Sequence, residues 1–293
     1  MRFIHLFISA FLLMVLASCE REIDIDLPND EELIVVEGRI RPNEAPVILL
    51  TKNQGFFDAV PAGLEDFVNS FVIQDAQVII SDGVQSEQLQ FTIDFVNYPF
   101  FYYTGNVIKG EVGKTYALSI IYNNKVLTSS TTIPAPVQID SSWFGLNPFD
   151  IAEDSLGVSY IQILDPDTFG NAYRLYARKN SFQFFNPVSG SEFNDDFVNG
   201  NNIVFFAGSA DQPFIAQDSF VPREFFYSLG DTIYLELASI GRKEYFFYAT
   251  LGAAVGSNGN PFASPTLVQS NIKGGLGVWV GMSVSYDTLY ATN

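Results

Sequence analysis

The chain of 293 residues contains a single cysteine, Cys19, and a single histidine, His5. A lone cysteine has no partner within the chain, so no intrachain disulfide closes the fold. Basic residues are also scarce: 15 Lys plus Arg stand against 33 Asp plus Glu, a formal net charge of −18. A field of that sign repels nucleic acid and anionic headgroups, which argues against DNA, RNA or electrostatic membrane binding. Charged residues are only 16% of the chain, whereas 47% are hydrophobic and 15% aromatic, the balance of a folded β-rich protein rather than a disordered one. The N-terminal apolar run from Leu6 to Leu16 is too short to cross a bilayer, which takes about 20 residues.

That run divides as export signals do, with Arg2 ahead of it and small Ala17 and Ser18 behind it. Leu16-Ala17-Ser18-Cys19 resembles a bacterial lipobox, in which small residues admit a peptidase and the cysteine thiol is acylated. The expectation is a signal peptide over residues 1–18 and a covalent lipid on Cys19, with no other cofactor and no metal. An uncleaved membrane helix and a free Cys19 are the alternatives. Several acyl chains hold a protein firmly on a membrane, where one alone would not. Cleavage would also remove His5. The remainder would then have no histidine for a catalytic triad or a His-ligated zinc or iron site, and no thiol nucleophile. Carboxylate chemistry is the catalytic route left open.

Residues 19–32, rich in Glu and Asp, read as a solvated tether leading from the anchor into the fold. From Leu33 the pattern turns to period two with β-branched residues and Gly or Pro punctuation, which predicts strands. Tyr122-Asn123-Asn124-Lys125 predicts a hairpin, since Asn tolerates the left-handed backbone of such a turn. Short strands and polar turns over residues 33–136 predict an immunoglobulin-like β-sandwich, with a long loop over 56–71 that has room for one helical turn. Two prolines in Ile133-Pro134-Ala135-Pro136-Val137 predict a stiff connector. Residues 137–293 then read as a second β-rich domain with one helix near 242–255, whose buried face would carry Tyr245, Tyr248 or Ala249, Gly252 and Val255. The fold class expected is all-β.

Several blocks carry a family resemblance. They are Cys19 to Asp24, Leu33 to Gly38, Asp75 to Val78, Gly113 to Leu118, Val137 to Ser141, Asp165 to Tyr173, Asn260 to Pro265 and Ser270 to Trp279. In this order they resemble the DUF4249 family of Bacteroidota lipoproteins. The resemblance implies no catalytic residues. It does imply an outer-membrane β-barrel partner, because the family's genes commonly lie beside TonB-dependent receptors of the SusC type. Glu20 and Glu22 partly match the acidic signal that carries lipoproteins of that phylum to the cell surface, though Arg21 and Ile23 interrupt it.

Local constellations suggest sharper chemistry. Asp165-Pro166-Asp167-Thr168-Phe169-Gly170 starts like a calcium loop, but Phe169 takes a ligand position and no distal Glu completes it; the plainer reading is a turn in which Gly170 and Asn171 supply positive φ. Asp195-Asp196 with Glu192 offers paired carboxylates for metal or acid/base work, or simply a solvated loop. Gly274-Gly275-Leu276-Gly277 lacks the Lys-Ser/Thr ending of a phosphate loop and reads as a tight turn. Aromatic residues are the richer signal: Phe95 to Tyr103 holds six rings in nine positions, and Phe182-Gln183-Phe184-Phe185 and Phe225-Phe226-Tyr227 repeat the theme. Alternation buries only half of a strand, so adjacent rings cannot all be core. Tyr98, Phe100, Phe101, Tyr102, Tyr103, Phe184 and Phe185 are therefore the candidate binding residues, while Trp143 and Trp279 could stack on sugars or sit in the core.

The sequence thus leads to an outer-membrane, lipid-anchored, cell-surface protein that binds rather than catalyses. The role expected is accessory subunit of a SusC-like receptor or a related barrel complex. Capture of a glycan or peptide, service in an outer-membrane assembly or secretion machine, and carboxylate-dependent hydrolysis are the alternatives.

Overall fold

A computed structural model describes residues 33–53, 63–146, 155–183, 185–210, 225–257 and 266–292. The signal segment, Cys19, the acidic tether and Phe184 lie outside the described residues. The N-terminal half supplies strands β1 (Ile34–Ile40), β2 (Val47–Lys52), β3 (Gln77–Ser81), β4 (Ser86–Ile93), β5 (Phe101–Thr104), β6 (Thr115–Tyr122) and β7 (Lys125–Thr132). After the proline connector come β8 (Ser141–Leu146), β9 (Leu156–Leu164), β10 (Ala172–Lys179), β11 (Asn186–Asn194), β12 (Asn202–Ala207), β13 (Tyr227–Ser228) and β14 (Thr232–Ile240). The helix Arg242–Ser257 follows, then β15 (Leu276–Gly281) and β16 (Ser283–Tyr290). The protein is all-β. A short helix, Leu64–Phe71, occupies the expected long loop, with Glu65 and Asp66 in its first turn where the helix dipole favours negative charge.

Strands β1 to β7 hydrogen-bond into one eight-stranded sheet whose eighth member is β15, in the order β15-β1-β2-β5-β4-β3-β6-β7. Its two ends meet. Thr128 and Lys273 exchange backbone hydrogen bonds of 3.0 and 2.8 Å, and the Gly281 amide donates to Thr131 Oγ1 at 2.8 Å. The sheet therefore curls into a nearly closed barrel, sandwich-like in that its opposite walls face each other across one core. Period-two alternation supplies that core: Ile34, Val36 and Ile40 from β1 meet Val78, Ile80, Tyr116, Leu118 and Ile120. Trp279 is fully buried among them, and its indole N–H donates to the Tyr116 carbonyl at 3.1 Å. Space for the ring comes from Gly38, where an added Cβ would lie 2.8 Å from the indole. Gly277 lets β15 lie parallel to β1, because its φ of +108° and its position against the Val36 carbonyl exclude any side chain.

The second half stacks two further sheets. One has the order β11-β10-β14-β16; in the other β9 is flanked by β8 on one side and by β12 and β13 on the other. Tyr173, Leu175, Leu235 and Leu237 face Ile161 and Ile163 across their shared core. Residues 235–240 of β14 are buried without alternation, because the opposite face of that strand is covered as well. The cover is the helix together with β15: Phe247 packs with Ala238, Ile240, Val278, Val280 and Met282. The buried stripe of the helix runs through Glu244 and Phe247 with half-buried Tyr248, and Val255, expected on it, is 68% exposed. β15 also carries the C-terminal part of the chain across the boundary expected at residue 136 and into the first sheet. Residues 32–293 form one compact unit.

Glu244 sits where the barrel closes. Its carboxylate accepts from Thr131 Oγ1 at 2.9 Å and from Asn271 Nδ2 at 3.1 Å, and the Asn271 side chain in turn brackets the Trp279 backbone at 2.8 and 2.9 Å. Burial pushes the Glu244 carboxyl above its ordinary value, although these hydrogen bonds and that of its own backbone N–H pull it down. A folded-state pKa raised in this way means that the folded protein holds the proton more tightly than the unfolded chain. The stabilising contribution of the neutral acid is full below the unfolded pKa and is lost as pH rises through the folded one. Glu244→Gln keeps an oxygen acceptor for both partners and cannot ionise. The stability of this variant relative to wild type, read from urea midpoints, is expected to grow as pH rises above the ordinary Glu value. A difference that stays flat with pH would show that Glu244 does not titrate in this way.

Candidate functional site

The alternation in β10 turns Tyr173, Leu175 and Ala177 to the core and Arg174, Tyr176 and Arg178 to the opposite face. Register continues that face across the sheet, pairing Tyr176 with Glu236, Arg178 with Tyr234, and Glu236 with Tyr286. Each arginine lies on rings. The Arg174 guanidinium is 3.7 Å from the centre of the Tyr248 ring on the helix, and that of Arg178 is 3.8 Å from Tyr234 and 5.1 Å from Phe185. Planar, weakly hydrated guanidinium groups suit such stacking, which explains how the face holds its cations among aromatics.

The first sheet borders this face. Arg41, just beyond β1, donates to both carboxylate oxygens of the buried Glu236 at 2.6 and 3.2 Å. Arg39 donates to the Tyr98 carbonyl at 3.2 Å, and Gln183 donates to the Val96 carbonyl. The β10–β11 turn thereby touches the β4–β5 tip. Asp94 builds that tip, accepting from the Val96 and Asn97 amides at 2.8 and 3.2 Å and from Asn97 Nδ2 at 2.8 Å. These bonds, led by the Asn97 side chain, hold its carboxyl below the usual range. Burial, with Glu37 second, pushes the Tyr98 hydroxyl up to about 12; burial and then Glu236 push Tyr286 up to about 12. Burial also raises Tyr248. The Arg41 guanidinium is driven up by Glu236 and Tyr286 against the larger opposing effect of burial. Most of these cations and rings are engaged with one another inside the seam, and Tyr286, 57% exposed, is the ring it presents to solvent.

A family profile described as "Domain of unknown function (DUF4249)" matches residues 20–288. The chain belongs to the DUF4249 family. No curated protein matches it.

Of the candidate residues read from the sequence of this DUF4249 protein, Tyr98, Phe100, Tyr102 and Phe185 are half-buried around the seam and its tip. Tyr98 and Phe100 are edge-on at 5.9 Å, and Phe185 rests on Tyr286 at 5.9 Å. Phe101 and Tyr103 are buried instead, because β5 turns them inward. The Tyr103 hydroxyl donates to the Ile73 carbonyl and accepts from the Ala76 amide, each at 3.0 Å, so it is an internal strut. Trp279 is core and Trp143 is 41% exposed. Sequence reasoning missed Arg174, Tyr176, Arg178, Tyr234 and Tyr286; the signal was the Arg-x-Tyr-x-Arg alternation in β10.

The two acidic loops pack on each other. Buried Asp195 accepts from the Gly170 and Asn171 amides at 2.6 and 2.7 Å, and Arg242 lies 3.5 Å from it and 2.7 Å from Asp196. Asp165 accepts from the Tyr173 hydroxyl and from the Gly200 amide at 3.1 Å. These carboxylates hold loops together. Gly170 has φ +114° as expected, whereas Asn171 contributes its side chain, donating to the Thr168 carbonyl at 2.6 Å. Among the described residues no three His, Cys, Asp or Glu side chains are grouped to hold a metal. Gly274 and Gly277, with φ of +84° and +108°, form the turn and close approach that lead into β15.

Glu236→Leu leaves the Arg41 charge buried without its partner and is expected to cost about 3–5 kcal/mol. Adding Arg41→Met should recover most of that loss. Chemical denaturation of the two variants checks both values, and a single variant as stable as wild type would refute the assignment.

Proposed function

We propose that this DUF4249 protein is a lipid-anchored, non-catalytic binding subunit of an outer-membrane β-barrel complex on the surface of a Bacteroidota cell. A SusC-like, TonB-dependent receptor is the partner in this reading. The observation that carries it is the open edge of the arginine–tyrosine seam, where Tyr286 is exposed beside half-buried Phe185 and Arg178. Residues 1–19 add the anchor. The family match begins at Glu20, directly after Cys19, which agrees with a leader that is removed and a cysteine that becomes the N-terminus. No helix among the described residues is long and apolar enough to cross a membrane, which says nothing of strand-built spans.

A second reading, capture of a glycan or peptide at the seam, is favoured by Tyr286, 57% exposed beside the stacked Arg178 row. A bound ligand would raise the melting temperature of the purified protein, and Arg178→Ala would remove that rise.

Labelling cells with a palmitate analogue is expected to mark the wild type and not Cys19→Ser. Affinity purification from detergent should recover a barrel protein in stoichiometric amount with the wild type. Recovery of the labelled protein alone would sink the barrel-subunit reading while leaving the anchor in place.

A further inference from the structure

The outward face of the β8–β9–β12 sheet has the opposite character from the seam. Register aligns Trp143 of β8 with Tyr160 of β9, and Tyr160 with Phe206 of β12, so three rings stand side by side across three strands. The Trp143 and Tyr160 rings are parallel within 7° at 5.5 Å, and Phe206 is 6.2 Å from Tyr160. Gly145 makes room for this ridge, since a Cβ there would lie 2.4 Å from the Tyr160 ring. Further along, Val204 and Leu164 are 54% and 53% exposed, and Phe206 is 45% exposed. The remaining open positions on this face are Ser141, Gln162 and Asn202, all polar and uncharged. Among the described residues of the three strands, none on this face carries charge.

We infer that this face docks on the neutral lipid–water interface of a bilayer. In a chain of net charge −18 a sheet face without Asp or Glu can approach headgroups without repulsion, and this one adds a Trp–Tyr pair to that neutrality. Trp and Tyr, apolar rings with a polar tip, settle at that depth of a membrane, and neutral amide and hydroxyl side chains remain hydrogen-bonded there. The Trp143 and Tyr160 rings lie face to face, so those two faces are not open to a sugar. The docking is hydrophobic and interfacial, and it needs neither the barrel partner nor the seam.

The two tryptophans make the test direct, because Trp279 is fully buried and Trp143 is 41% exposed. Full-length protein is reconstituted into vesicles of phosphatidylcholine with brominated acyl chains, and its emission is compared with that in unbrominated vesicles. Bromine is expected to remove most of the Trp143 emission, and a Trp143→Phe variant to be insensitive to it. Val204→Asp places an acid at an exposed position and should abolish the quenching while the far-ultraviolet dichroism stays unchanged. Phe206→Ser serves as the second variant should the first misfold. Equal Trp143 emission in both kinds of vesicle would overturn the inference, as would shielding of Trp143 from iodide in vesicle-free solution, the mark of a second copy on this face.

Discussion

The last two strands are one extended path through two sheets. β15 ends at Gly281 and β16 starts at Ser283, with buried Met282 between them donating its amide to the Ile40 carbonyl at 3.0 Å. The barrel needs the first half of this path to complete its wall, and the β10–β14 sheet needs the second half as its edge. The proline connector is clamped along the same path: Ser283 Oγ donates to the Pro134 carbonyl at 2.7 Å and Ser285 Oγ to that of Val137 at 2.8 Å. A segment that composition marks as a linker is thus fixed by hydrogen bonds on both sides of its prolines. Orientation between the sheets is set by backbone continuity and then refined by side chains.

Buried ion pairs and hydrogen-bonded acids do the refining. Arg41 with Glu236, Glu244 with Thr131 and Asn271, and Asp195 with Arg242 each join segments far apart in sequence. A buried ion pair adds little net stability against an apolar replacement, yet breaking it costs heavily, so such pairs select one arrangement over near alternatives. Among the described residues the five arginines, Arg39, Arg41, Arg174, Arg178 and Arg242, lie at these junctions and at the seam. The same economy explains why the seam combines recognition chemistry with structural bonds.

What could be read from the sequence was local. Period two located most strands, and Asn123 and Asn124, at φ 47° and 61°, form the turn that their identity demanded. Helical spacing located Arg242–Ser257 to within its last residues and placed Tyr245 and Tyr248 against the core, but it missed buried Glu244 and Phe247 and wrongly extended the stripe to Gly252 and Val255. The two aromatic segments do meet at the seam, which no linear pattern states. Tyr103 escaped because a strand within a ring-rich run still sends alternate side chains inward, and a tyrosine is tolerated there once its hydroxyl is paired. Parallel pairing of β1 with β15 was invisible, since alternation says which face is buried and not which strand lies beside it.

That pairing has a temporal side. Synthesis and any directional passage across a membrane deliver β1 first, and its neighbour β15 is among the last segments to emerge. Until then one edge of the sheet exposes unpaired amides and carbonyls, and the pocket that Gly38 leaves for Trp279 stays unfilled. Folding dominated by such distant contacts is slow and leaves adhesive edges exposed meanwhile. The barrel can close only after β15 is present, so its first strand waits for one of the last.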